Sequence, residues 1–404
     1  QNSAIVGGTV NDVVNVTYYS TPLLGGVQYG RSYNTSATIT FPVADTTTMI
    51  HVLSASSLSQ LSSSKAAIGE VLTFQINVTL PPGTIQNVVI TESLAPSAFQ
   101  GGRLQVVSST IAYMSPSATS TTGLTTGSSG VAQDAQFSDG ILDTVVFNYG
   151  TIVNAYNPVN NAQVTLAMVV TALVLNNTHN VNGVVVGAAA SYSQLLTTTP
   201  LQVVTAGITI SEPLLSVSMA IVGQTSTQWA GGLTVPFTVT ISHVKTGSTV
   251  STSPAFNLTI MDAFGGGLSI QPGTVALSSN YPLSPGVNAI TYGNGASDTL
   301  LVVNILYMAL LANSSADITL TFNATISPSI LIVSNVSNLI NVTYTSVPVG
   351  SGVTYRTHVA STSQSIYIPD TSTWTHSLVS KTITQLATNH LAVGGSGEIG
   401  RAHV

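Results

Sequence analysis

The sequence predicts an all-β protein of tandem antiparallel β-sandwiches with incomplete repeats at its ends. Apolar residues recur with a period of two, helical stretches of ten or more residues are absent, and long segments repeat along the chain. Period-2 alternation puts successive side chains on opposite strand faces, so one face can be buried while the other meets water.

Taken in order, the chain first alternates through Val14, Val16 and Tyr18, with Asn15 and Thr17 on the other face. In VLTFQINVTL (71–80), Leu72, Phe74, Ile76, Val78 and Leu80 point one way and Thr73, Gln75, Asn77 and Thr79 the other. SPSATSTTGLTTGSSG (115–130) is the longest expected loop. VTLAMVVTALVL (164–175) is the longest apolar run, short of the ~20 residues that a spanning helix needs. PFTVTISHV (236–244) and ADITLTFNATI (316–326) alternate again. Their Val, Ile, Thr and Phe content suits half-buried strands. The expected core is Phe74, Ile76, Val78, Leu166 and Met168 in one sandwich, and Phe237, Val239, Ile241, Leu320 and Phe322 in the other.

Charged residues are 5% of the chain and hydrophobic residues 44%, so a large core is available while charge supplies little hydration. Ser, Thr and Asn, or groups attached to them, must supply it instead. Seven Lys and Arg against a net charge of −6 exclude the basic footprint that nucleic acid requires. There is no cysteine, so stability rests on core size and not on disulfides. A chain beginning at Gln1 reads as a processed or incomplete end.

The repeat is explicit. NVTYYSTPLLGGVQY (15–29) matches NVTYTSVPVGSGVTY (341–355), and ADTTTMIHVLS (44–54) matches PDTSTWTHSLV (369–379). VGAAASYSQLLTTTPLQVV (186–204) is a weaker copy of the first pair, and GEVLTFQINVTL (69–80) pairs with GGLTVPFTVTIS (231–242). The period is roughly 160 residues, the size of one domain. Two complete units are expected at 46–212 and 213–370, flanked by the last strands of a unit at 1–45 and the first strands of another at 371–398. The closing letters E-I-G-R-A-H-V read as a translated sequencing-library adapter, so residues 399–404 are expected to be foreign and the natural chain to continue past Glu398.

GEVLTFQINVTLPPGTIQNVVITESLAP (69–96) resembles the conserved-repeat and isopeptide-forming fimbrial domains of large surface adhesins, and NLTIMDAFGGG (257–267) keeps the pattern loosely. The resemblance implies Ig-like sandwiches strung along a cell surface or filament. Isopeptide domains of this kind join a first-strand Lys to a last-strand Asn or Asp beside an acid. The resemblance places the acid at Glu92 and Asp262, and the last-strand residue at Asn341. The first-strand position falls on Ser56 and about Met219, with Lys381 matching only in the truncated third unit. Self-formed isopeptides are therefore not expected in the two complete units.

Nine N-x-[ST] sequons occur, at Asn15, Asn34, Asn77, Asn176, Asn257, Asn313, Asn323, Asn335 and Asn341. Asn15, Asn77, Asn257, Asn323 and Asn341 fall on the polar phase of strands, and the other four in turns or at strand ends. His51 and His376 share one repeat position, which points to a structural role. No HExxH, Cys/His cluster, nucleophile elbow or EF-hand loop appears, so no catalytic residue, cofactor or metal is expected. The expectation is an extracellular structural glycoprotein without enzymatic activity, with no membrane span in this segment. Its partners would be covalent glycans and copies of itself in a homopolymeric filament, joined through Val14, Val16 and Tyr18. The alternative is an adhesin stalk binding a carbohydrate or protein through its loops.

Overall fold

The structure is a computed structural model that describes residues 5–19, 31–58, 61–96, 102–154, 163–196, 199–223, 229–246, 250–271, 273–280, 289–292, 299–310, 318–349 and 355–370. Every regular element among them is a strand. The chain opens with a hairpin, β1 (Thr9–Tyr19) and β2 (Ser32–Pro42). There follow β3 (Thr48–Ser56), β4 (Lys65–Ala66), β5 (Val71–Leu80), β6 (Gly83–Ser93), β7 (Leu104–Met114), β8 (Ala118–Ser120) and β9 (Val131–Gln133). Then come β10 (Thr144–Asn154), β11 (Val164–Val174), β12 (Val185–Val186), β13 (Ala189–Ser193), β14 (Leu201–Val204) and β15 (Ile208–Ile210). The second half holds β16 (Leu215–Ile221), β17 (Thr234–His243), β18 (Ala255–Phe264), β19 (Leu268–Ile270) and β20 (Ala276–Ser279). It ends with β21 (Ala289–Tyr292), β22 (Leu300–Met308), β23 (Ile318–Ile326), β24 (Ser334–Thr345) and β25 (Thr357–Ile368).

Two antiparallel β-sandwiches result. In the first, a sheet ordered β3-β5-β11-β7 faces one ordered β14-β13-β6-β10-β8, with β9 also on β10. In the second, β16-β17-β23-β19, with β20 also on β23, faces β21-β22-β18-β24-β25. The alternation dictates what lies between the layers. Phe74, Ile76, Val78, Leu166, Met168, Phe237, Val239, Ile241, Leu320 and Phe322 are all buried, each at most 2% exposed. Phe322 stacks on Phe237 at 5.2 Å between centroids and meets the edge of Phe264 at 5.5 Å. Each such side chain contributes about 1.5–3 kcal/mol on burial, and a one-residue register slip would turn all of them outward.

Two local features were not foreseen. Residues 115–130 do not stand off as a loop but fold back on β7: Ile111 N–H donates to Ser128 O at 2.8 Å, and Gly127 N–H to Ile111 O at 2.8 Å. Gly130 sits against the first core, where an added Cβ would meet Val145 Cγ1 at 2.5 Å, so no larger residue fits without a shift. Asn87 and Asn257 occupy matching places in β6 and β18 with φ of 53° and 49°. That left-handed conformation favours Asn among residues with side chains.

Candidate assembly hairpin, buried acids and the joint between sandwiches

β1 and β2 pair with each other and belong to neither sandwich sheet. Their register puts Val10 opposite Phe41, Val14 opposite Ala37, Val16 opposite Thr35 and Tyr18 opposite Tyr33, all on one face. The other face is mostly polar, with Asn11, Asn15, Thr17, Asn34 and Thr40 beside Val13 and Tyr19, and is tied by Thr17 Oγ1–H to Asn34 Oδ1 and Thr40 Oγ1–H to Asn11 Oδ1, each 2.8 Å. The ribbon is therefore amphipathic, and its apolar face is open: Val14 is 51% exposed, Val16 48% and Tyr18 53%.

The same ribbon recurs in the second sandwich. β24 pairs with β25 so that Val342 meets Ala360 and Tyr344 meets His358. NVTY at 15–18 repeats as NVTY at 341–344, so Val16 stands for Val342 and Tyr18 for Tyr344. The aromatic stack is reproduced too, at 5.3 Å and 15° for Tyr18–Tyr33 and 5.2 Å and 15° for Tyr344–His358. There β24 lies against β18 within the sandwich, and Val342 and Tyr344 are 0% and 1% exposed. The face that is core in one hairpin is solvent-facing in the other.

The two acids sit where the resemblance puts them, but their surroundings differ from expectation. Asp262 is fully buried in β18, and Asn338 Nδ2–H donates to its Oδ2 at 3.2 Å. Desolvation raises Asp262 to about 7, outweighing the hydrogen bond from Asn338 that pulls it down. Asn338 Nδ2 also lies 3.4 Å from Met219 Sδ in the first strand, β16. The last-strand residue beside the acid is thus Asn338, not Asn341. Asn341 lies an odd number of residues along β24, on its opposite face, half-buried and paired with Met261.

In the first sandwich, buried Glu92 has His51 Nε2 at 2.9 Å from its Oε1, although not in the alignment of a good hydrogen bond. Burial raises the Glu92 carboxyl, and His51 opposes that. His51 Nδ1 reaches Val203 O at 3.2 Å. The first-strand position is therefore His51, not Ser56. His51 pairs with Ile76 as Met219 pairs with Val239, each two residues after the core Phe of the next strand. Ser56 instead donates to Glu70 Oε1. Glu70 also accepts from Ala67 N–H at 2.7 Å, yet its burial lifts it to about 7. The repeat gives Lys381 the register of Ser56 and leaves His376 in that of His51; both lie outside the described residues, as do all of 371–404. Neither complete unit offers an amine to its acid.

The sandwiches meet at a joint without slack. Between β15 and β16, Ser211 N–H donates to Ala66 O at 2.8 Å and Leu214 N–H to Ser251 Oγ at 3.0 Å. Glu212 is the hub: Oε1 accepts from Arg356 Nη1–H at 2.9 Å and Oε2 from Asn182 N–H at 3.1 Å. Arg356 also donates from Nη2 to Asn177 O at 2.7 Å and from Nε to Asn176 Oδ1 at 3.0 Å, so it holds the first sandwich from the second. Leu58 and Ala67 pack against Phe256 and Val347 beside this clamp. Burial lowers His358, which lies 3.5 Å from Glu212. Neither Glu212 nor Arg356 was singled out from the sequence. Their rarity, in a chain with 20 charged residues (7 basic and 13 acidic), is the signal that could have found them. Arg356→Ala leaves Glu212 and Asn177 O short of a donor at a partly buried site. It is expected to lower the unfolding free energy by about 2 kcal/mol in urea titrations of the full chain.

The sequons fall into three groups. Asn15, Asn34 and Asn335 are exposed on strands. Asn77, Asn323 and Asn341 lie half-buried on inner strands. Asn176 and Asn257 have their side-chain amides engaged: Asn176 Nδ2–H donates to Tyr355 O at 3.0 Å, and Asn257 Nδ2–H to Thr345 Oγ1 at 3.0 Å. Asn313 lies outside the described residues. No helix of the described residues is long and apolar enough to cross a membrane.

Neither a protein-family model nor a curated protein sequence matches the chain. Among solved structures it is similar to the C-terminal domain of the Streptococcus agalactiae AgI/II polypeptide BspA, at 8% identity and a TM-score of 0.38. That likeness covers 74% of this chain and 95% of the other. It is also similar to the C-terminal domain of the Streptococcus pyogenes antigen I/II-family protein AspA, at 10% identity and a TM-score of 0.36, covering 78% and 99% of the two chains. A third likeness is to the major pilin SpaD of Corynebacterium diphtheriae, at 10% identity and a TM-score of 0.28, covering 80% and 66%. At such scores none of these likenesses bears on what this chain does.

Proposed function

We propose that this chain is an extracellular structural glycoprotein, a subunit of a filament assembled head to tail by strand complementation. In this reading the units at 46–212 and 213–370 are whole modules, and the partial units at 1–45 and 371–398 are where a neighbouring copy docks. One observation carries the reading: the hairpin exposes Val14, Val16 and Tyr18 at about half their surface, while Val342 and Tyr344, at the same places in β24, are core. Apolar area costs free energy in proportion to its exposure, and open strand edges invite pairing with another chain. The contact joins unlike surfaces, so it propagates and does not close. Sedimentation velocity of the full chain tests this. The expected result is elongated species whose mass grows with concentration; a single monomeric species at every concentration contradicts it.

Glycans belong to the same proposal, since 5% charged residues leave little other hydration for so long an apolar chain. The exposed Asn15, Asn34 and Asn335 are the sites expected to carry them. Asn257 is expected to be bare, because Nδ2 donates to both Thr345 Oγ1 and Val347 O in a strand interior and a glycan would replace one of those hydrogens. Glycopeptide mapping of protein from a glycosylating source checks this, and modified Asn257 with bare Asn15 and Asn34 would contradict it.

A further inference from the structure

We propose that β25 is a pairing edge: it joins the β25 of a second copy, antiparallel and side by side, so that two second sandwiches share one continuous sheet. The contact is separate from the head-to-tail reading and does not rest on it. It uses the residues of β25 alone, on the flank of the molecule.

A sheet edge is open to a further strand unless it is short, bulged, covered or charged. Most edges of the two sandwiches meet one of those conditions. In the first, β14 has four residues and β8 three, β3 carries a register shift, and β7 carries two and is covered by residues 115–130. In the second, β16 has seven residues, β20 and β21 four each, and β19 three. β25 meets none of them. It runs for 12 residues and pairs with β24 without a register shift, and among the described residues no strand pairs with its other side. β16 passes beside it in the facing sheet but pairs with β17. THVASTSQSIYI (357–368) has no Lys, Arg, Asp, Glu or Pro to repel or block a partner strand.

Which groups are free to pair follows from the ladder with β24. Arg356 O accepts from Ser346 N–H at 3.1 Å and Ile368 O from Val333 N–H at 2.8 Å, so the even-numbered residues turn their backbone groups to β24. Backbone direction alternates along a strand, so Thr357, Val359, Ser361, Ser363, Ser365 and Tyr367 turn theirs outward. All six side chains are exposed, Val359 at 64% and Tyr367 at 43%. One outward carbonyl, Ser365 O, accepts from Gln364 Nε2–H at 3.3 Å, a bond that pairing would exchange. The row is its own complement. A two-fold axis at Thr362 sets Ser361 opposite the second copy's Ser363, Val359 opposite its Ser365, and Thr357 opposite its Tyr367. Two hydrogen bonds at each such place give about twelve across the edge, and no like charges face each other. Each copy brings the same strand, so the contact is isologous and closes on two chains. Where head-to-tail filaments form as well, it ties two of them side by side.

The test uses the full chain carrying Val16→Asp and Tyr18→Asp, a background in which the proposed head-to-tail contact is blocked, with thermal melts as a check on folding. Sedimentation velocity should show monomers and dimers whose ratio follows concentration, and nothing larger. Ser361→Lys with Ser363→Lys should weaken that dimer at least about tenfold, because like charges then meet around the axis. Ser361→Glu with Ser363→Glu should do the same. Mixing the first variant with the second should restore dimers that hold one chain of each. A background chain that stays monomeric, charge substitutions without effect, or mixing that restores nothing would each overturn the β25 pairing and leave head-to-tail assembly of the unsubstituted chain untouched. If the unsubstituted chain forms this dimer and nothing longer, head-to-tail assembly falls and the β25 pairing stands.

Discussion

Val16→Asp with Tyr18→Asp is expected to abolish head-to-tail association of the full chain and to leave its melting temperature within about a degree or two of the unsubstituted protein. Both residues are about half exposed and lie outside the two cores, so a single chain loses little when they become acids. In the proposed assembly both are buried, and two carboxylates would have to be desolvated without partners, a penalty of several kcal/mol each. The matched substitutions in the second sandwich behave in the opposite way. Val342 and Tyr344 are 0% and 1% exposed, so Val342→Asp with Tyr344→Asp should unfold that sandwich. The same residue types at the same repeat positions thus give an assembly defect in one hairpin and a folding defect in the other. Loss of folding in both, or of assembly in neither, would show that the hairpin does not wait for a partner.

The pH dependence of stability runs against the usual direction for carboxylates. Glu70 and Asp262 are both lifted to about 7 by desolvation. Their folded values lie above the unfolded values of 4.5 and 3.8. The folded protein therefore holds protons that the unfolded chain releases. The stabilisation is fully present below about pH 4 and is lost as pH rises through about 7. Each group accounts for about 3–4 kcal/mol across that window, since every tenfold difference in proton affinity between folded and unfolded chain is worth about 1.4 kcal/mol. Thermal melts should accordingly show the melting temperature falling between about pH 5 and pH 8. Asp262→Asn should flatten part of the slope and leave the share of Glu70 and Glu92, because an amide keeps hydrogen-bonding groups without the ionisation. Melting that rises steadily with pH over this range contradicts the assignment.

Much of the fold was legible because alternation is a local signal. Phe74, Ile76 and Val78 needed no partner strand to be read as one face, and the repeat made β1–β2 recognisable as the twin of β24–β25. The buried acids were legible as well, through the resemblance of 69–96 and 257–267 to isopeptide-forming domains, which placed them at Glu92 and Asp262. What faces them was not. Choosing Asn338 over Asn341, or His51 over Ser56, needs the pairing register across strands far apart in sequence, and β3–β5 and β18–β24 both carry register shifts. Polar phase also proved a weak guide to solvent. Asn77, Asn323 and Asn341 face away from the core yet lie on inner strands whose neighbours half-cover them. The joint was hidden for a simpler reason: Glu212 and Arg356 meet across 144 positions, and nothing local to either one announces the other.

Cryo-electron microscopy of the concentrated chain would show directly what covers the hairpin. Head-to-tail assembly predicts linear particles of repeating sandwiches in which Val14, Val16 and Tyr18 are buried against strands of the adjacent copy. Isolated two-sandwich particles, or a hairpin whose apolar face is covered by its own chain, would contradict it.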